Sequence, residues 1–192
     1  MRSAGSWGRR WIVVLGAAAA AGLVASGCKQ GVHFDVSDDI PPTNVDGDPL
    51  LNQAGEVLPV VPLGPFAFSF DLEAELQAHN AGPAQEINLT EMNLAVTDGL
   101  GDNDDDLAWL SEVHVFVEST MAGTELPRTE IASRSDFPDG FAVLPLNVNE
   151  EIDLLPYVEE GMMITSEADG IVPPDDVQVG GDLTVTITAL AL

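Results

Sequence analysis

The sequence predicts an all-β protein, an antiparallel β-sandwich of immunoglobulin-like or jelly-roll-like type with one or two short helical connectors. Three observations point there. The segment "FAFSFDLEAEL" (66–76) sets Phe66, Phe68, Phe70, Leu72, Ala74 and Leu76 at alternate positions, with Ala67, Ser69, Asp71, Glu73 and Glu75 between them. Period two is the signature of a strand with one face buried and one in water. The segment "DLTVTITALAL" (182–192) alternates Leu183, Val185, Ile187 and Ala189 with Thr184, Thr186 and Thr188, a β-branched pattern that strands favour. Between these two lie short apolar runs punctuated by Gly, Pro and Asp, the layout of a sandwich rather than of a helical bundle.

Taken from the start, Arg2, Arg9 and Arg10 precede an uncharged, alanine-rich stretch from Ile12 to Ser26. A spanning helix needs about 20 apolar residues, so this shorter run reads as a secretory signal with a basic beginning, assigned to residues 1–27. It ends in Val24-Ala25-Ser26-Gly27-Cys28. These five residues resemble the lipobox of bacterial lipoproteins, with Ala25 where leucine is usual. The resemblance covers only the first 28 residues. It implies that Cys28, the sole cysteine, becomes the lipidated first residue of the mature chain. Lys29 follows it, and the residue at that position implies, by analogy with enteric bacteria, the outer membrane of the cell envelope. Two or more acyl chains hold a protein stably on a bilayer, whereas one binds marginally.

Residues 28–55 read as the lipidated N-terminus and an acidic tether, because "SDDIPPTNVDGDPLLNQAG" breaks every apolar period with Pro, Asp, Asn or Gly. Flexible chain of that length would reach on the order of 30 Å. Val32, Phe34 and Val36 alternate with His33 and Asp35, so 32–36 is a candidate first strand. The β-sandwich domain is assigned to 56–192. Besides 66–76 and the last segment, strands are expected near 86–97, 112–119, 129–133, 141–149 and 161–168. In the first of these the apolar parity switches from Ile87 and Leu89 to Met92, Leu94 and Val96, which predicts a bulge. "DLAWLSE" and "EEIDLLPYV" are candidate helical turns, since acids precede closely spaced apolar residues.

All 32 acidic residues follow Cys28, and removal of the signal leaves only Lys29, Arg128 and Arg134 as cations. Such a chain repels phosphate backbones and anionic headgroups, which excludes nucleic acid as a partner and leaves the lipid as the means of membrane attachment. Without a further cysteine, packing alone must hold the fold.

The most suggestive chemistry is the loop "TDGLGDNDDDLAW", where Asp98, Asp102, Asn103, Asp104, Asp105 and Asp106 crowd together. Calcium takes six to eight oxygen ligands from carboxylate-rich loops, so Asp98, Asp102, Asn103, Asp104 and Asp106 form a candidate calcium loop, set against the simpler reading of a solvated acidic turn. It is not an EF-hand: counted from Asp102, Leu107 stands where glycine is needed and Val113 where a bidentate glutamate belongs. Asp175-Asp176 after Pro173-Pro174 is a second acidic loop. No other cofactor is implied. His33, His79 and His114 lie far apart, and the elbow and Ser-Lys motifs of nucleophilic catalysis are missing from the sequence after Cys28. Trp109 and Tyr157 read as core residues.

These features favour a non-enzymatic, membrane-anchored binding or envelope-structural module with an unidentified protein or glycan partner. Two other readings stay open: a glycan-processing enzyme that uses a carboxylate pair, and a subunit of a surface assembly that offers "LTVTITALAL" as an edge strand.

Overall fold

A computed structural model describes residues 31–57, 71–99 and 106–192. The signal, Cys28, the phenylalanines of 66–70 and Asp102 to Asp105 lie outside that set. Within it the chain is an all-β sandwich of two four-stranded antiparallel sheets. The strands are β1 (Gly31–Val45), β2 (Ala81–Gly99), β3 (Leu110–Ser119), β4 (Thr129–Arg134), β5 (Val143–Pro145), β6 (Asn147–Val148), β7 (Met162–Gly170) and β8 (Val177–Ala191). Three short helices join them: α1 (Pro49–Ala54), α2 (Leu72–Ala78) and α3 (Leu155–Glu160). One sheet has the order β1-β8-β2-β5 and the other β6-β4-β3-β7.

Alternation builds the core. Leu183, Val185, Ile187 and Ala189 of β8 are buried, as are Val113, Val115 and Val117 of β3 and Met162, Ile164 and Ala168 of β7. On β2 the buried set passes from Ile87 and Leu89 to Met92 and Leu94, and the ladder to β8 shifts register between Leu89 and Glu91. That shift is the expected bulge, since one extra residue flips every later side chain to the other face.

The structure corrects three expectations. Residues 37–45, read as tether, continue β1 and pair with β8 as far as Val45. Pro41 and Pro42 sit at a register shift between Ile40 and Thr43 on a strand at the sheet edge, where a missing N–H disturbs no ladder bond. Residues 72–76, read as strand, belong to helix α2. Asp71 caps it by accepting from the Ala74 N–H at 3.0 Å, Glu73 and Glu75 occupy its first turn, and Leu72 and Leu76 pack against the core one turn apart. Finally, "DLAWLSE" forms a turn that leads into β3 at Leu110, while "EEIDLLPYV" does contain α3.

The last strand lies inside its sheet, between β1 and β2. It therefore has no free edge to offer a partner, contrary to the assembly reading. Close approach of β2 demands glycine on β8 opposite the β1 bulge: Gly181 has φ 155°, and a Cβ there would overlap the Asn93 carbonyl oxygen.

Candidate functional site

The register of β1, β8 and β2 gathers the acidic loops at one pole of the sandwich. Val177 pairs with Val45 on one side and Gly99 on the other. Asp46 and Asp48 after β1, Asp175 and Asp176 before β8, and Asp98 near the end of β2 are thereby brought to the same end. The backbones of the first two loops touch. Gly47 donates its N–H to Asp176 Oδ1 at 2.9 Å, the Asp48 N–H donates to the Pro173 carbonyl at 3.0 Å, and a side chain at Gly47 would collide with the Asp175 backbone.

Several of these acids serve the backbone. Asp48 Oδ1 accepts from the N–H groups of Leu50 at 2.8 Å and Leu51 at 3.1 Å, which caps α1. Asp106 Oδ1 accepts from Ala108 at 3.0 Å, and its Oδ2 accepts from Gly140 at 2.6 Å, tying the turn before β3 to the loop before β5. Of the residues expected to bind calcium, Asp106 is thus committed to holding the chain. Asp98 lies on β2 opposite Gln178, and Asp102, Asn103 and Asp104 lie outside the described residues. Among the described residues, no three His, Cys, Asp or Glu side chains are grouped to hold a metal ion.

A different charged array covers the outer face of the second sheet. His114 on β3 reaches Glu130 through Nδ1 at 2.7 Å and Glu112 through Nε2 at 3.1 Å. Partial burial pulls its pKa down, but the hydrogen bonds and charges of Glu130 and Glu112 together outweigh burial and raise it. Arg128 lies over the Phe116 ring, 3.5 Å from its centroid, and donates to Glu118 at 2.9 Å and Glu167 at 2.7 Å. The alternation of Val113, Val115 and Val117 sets His114 on the outward face, but the array is not legible in the sequence because its members come from three strands and the residue before β4. Nearby in sequence, Ser119 and Thr124 donate to Glu160 at 2.7 and 2.5 Å, and these hydroxyls hold its carboxyl below the usual carboxylate range.

Trp109 and Tyr157 are both buried. The Tyr157 hydroxyl lies 2.9 Å from both Thr129 Oγ1 and the Pro127 carbonyl, while the Trp109 indole N–H finds no partner among the described residues. Between the sheets lies a cavity of about 20 Å³, lined by Met92, Leu94, Val113 and Val115 among others, with Thr43 and Ser166 as its polar side chains. Its wall contains no carboxylate, so it supplies no acid or base for glycoside chemistry. No helix among the described residues is long and apolar enough to cross a membrane.

No family model matches the chain, and no curated protein matches it.

Proposed function

We propose that the chain is a lipid-anchored protein of a bacterial cell envelope, held on the outer membrane through Cys28, whose acidic sandwich acts as a non-enzymatic binding or structural module. The observation that carries this reading is the run Ile12 to Ser26 ending in Val24-Ala25-Ser26-Gly27-Cys28. The charge of the mature chain supports it, since three cations against 32 acids give anionic headgroups nothing to attract and leave attachment to the acyl chains.

Phase separation in a cloud-point detergent tests it. Protein made in a lipoprotein-processing bacterium is expected in the detergent phase, and the Cys28→Ser variant in the aqueous phase. Wild type that stays aqueous would defeat the anchor.

Within this reading, calcium bound by the loop around Asp98, Asp102, Asn103 and Asp104 would stiffen the acid-rich pole. Carboxylate-rich loops of this composition suit a hard divalent cation. Calorimetric titration with Ca²⁺ and Mg²⁺ is expected to give calcium-selective heat that an Asp102→Asn, Asp104→Asn variant loses. Asp106 is left intact in that variant because its carboxylate holds two backbone N–H groups. Absence of selective heat in the wild type removes calcium from the proposal.

A further inference from the structure

The distance along the chain between Cys28 and β1 leads to an orientation, which rests on the anchor reading above. Strand β1 starts at Gly31, so Lys29 and Gln30 alone separate it from Cys28. An extended residue spans at most about 3.6 Å, so Cys28 stays within about 11 Å of Gly31. The expected tether of 27 residues is therefore reduced to a short leash, and an acylated Cys28 brings the Gly31 end of the sandwich down to the headgroups.

The register names the residues at that pole. Gly31 pairs with Leu190, and Ala81 with Ala191. Leu192, 91% exposed, projects there, and α2 is held close by because His79 stacks on Phe34. From Gly31 the strand runs along β8 to Val45, about 40–45 Å at the usual rise per residue. Its far end is the pole that carries Asp46, Asp48, Asp175 and Asp176.

We infer that the sandwich rests its Gly31, Ala81 and Leu192 pole on the lipid surface and holds its acid-rich pole away from it. Charge works in the same direction. Screening confines headgroup repulsion to about 8 Å at physiological ionic strength, a layer from which the distal acids are removed by the length of the strand. Asp71, Glu73 and Glu75 of α2 do lie near the proximal pole, so the short leash, and not electrostatic attraction, holds it down.

Acylation consumes the sole cysteine, so Ala191→Cys and Asp46→Cys each supply a unique thiol for a fluorescent donor. The labelled, acylated proteins are added to phosphatidylcholine vesicles that contain a headgroup-attached acceptor. Energy transfer from position 191 is expected to be several-fold more efficient than from position 46. A Gly/Ser spacer of about 20 residues between Gln30 and Gly31, with a coil reach of about 25 Å, is expected to erase the difference. Equal transfer from both positions without the spacer, in protein whose acyl mass is verified, overturns the orientation and leaves the anchor standing. A chain that carries no acyl mass overturns both.

Discussion

The imidazole of His79 lies flat on the ring of Phe34, with centroids 4.0 Å apart and planes 10° from parallel. His79 follows the last turn of α2 and Phe34 belongs to β1, so the stack joins a helix to an edge strand at one end of the core. Replacing Phe34 by alanine is expected to cost about 3 kcal/mol, within the range for a buried aromatic side chain. Replacing His79 by alanine is expected to cost about 1 kcal/mol, the range for a stacked aromatic pair. Urea unfolding of both variants checks the ranking, and a Phe34 variant as stable as wild type would show that β1 does not belong to the core.

Gly181 tests the close approach of β2 to β8 opposite the β1 bulge. Its φ of 155° and the Asn93 carbonyl oxygen in its Cβ position leave no room for a side chain. Gly181→Ala is expected to destabilise by more than about 2 kcal/mol, because backbone strain and overlap act together. Denaturant midpoints for this variant and for Gly123→Ala separate the two effects, since a Cβ at Gly123 meets nothing although its φ is also positive.

His114 gives the outer array a pH dependence. Its pKa is raised above 6.5 in the folded chain, so its contribution is complete below the unfolded value and is lost as pH rises through the folded one. The pair is surface-exposed, so the effect is at most about 1 kcal/mol. Wild type is expected to exceed His114→Gln in stability near about pH 5.5 and to lose that margin near about pH 8.5. A margin that grows with pH would reverse the assignment.

Asp106 separates a structural acid from a metal ligand. Asp106→Ala releases the Ala108 and Gly140 N–H groups and is expected to cost about 2 kcal/mol, the scale of a charge-assisted hydrogen bond. Thermal unfolding in chelator measures this loss with calcium excluded. A variant that is destabilised only when calcium is present would instead make Asp106 a ligand.

Much of the sandwich was legible because one-sided burial writes itself as alternation. The valines of β3, the Leu183 to Ala189 set of β8 and the parity switch of β2 were read from spacing alone. Of β1 only the start, 32–36, was; its continuation to Val45 was hidden because Asp38, Asp39, Pro41 and Pro42 are loop-forming residues that an edge strand tolerates, and its partner β8 lies some 150 positions away, as the His33–Thr188 contact shows. Helix α2 was hidden by Leu72, Ala74 and Leu76, whose spacing fits a strand as well as a helix; the capping Asp71 was the signal that separated the two. At the acidic loop, composition showed the carboxylates but not their use. Asp106 is engaged by Gly140, 34 positions on, a pairing that only the tertiary fold creates.

The intact mass of the protein purified from a lipoprotein-processing bacterium tests the anchor most directly. The expected species begins at Cys28, lacks residues 1–27 and carries the added mass of two or three acyl chains, while the Cys28→Ser variant carries none. A wild-type chain cleaved elsewhere and released without acyl mass would contradict the anchor and, with it, the orientation of the sandwich on the membrane.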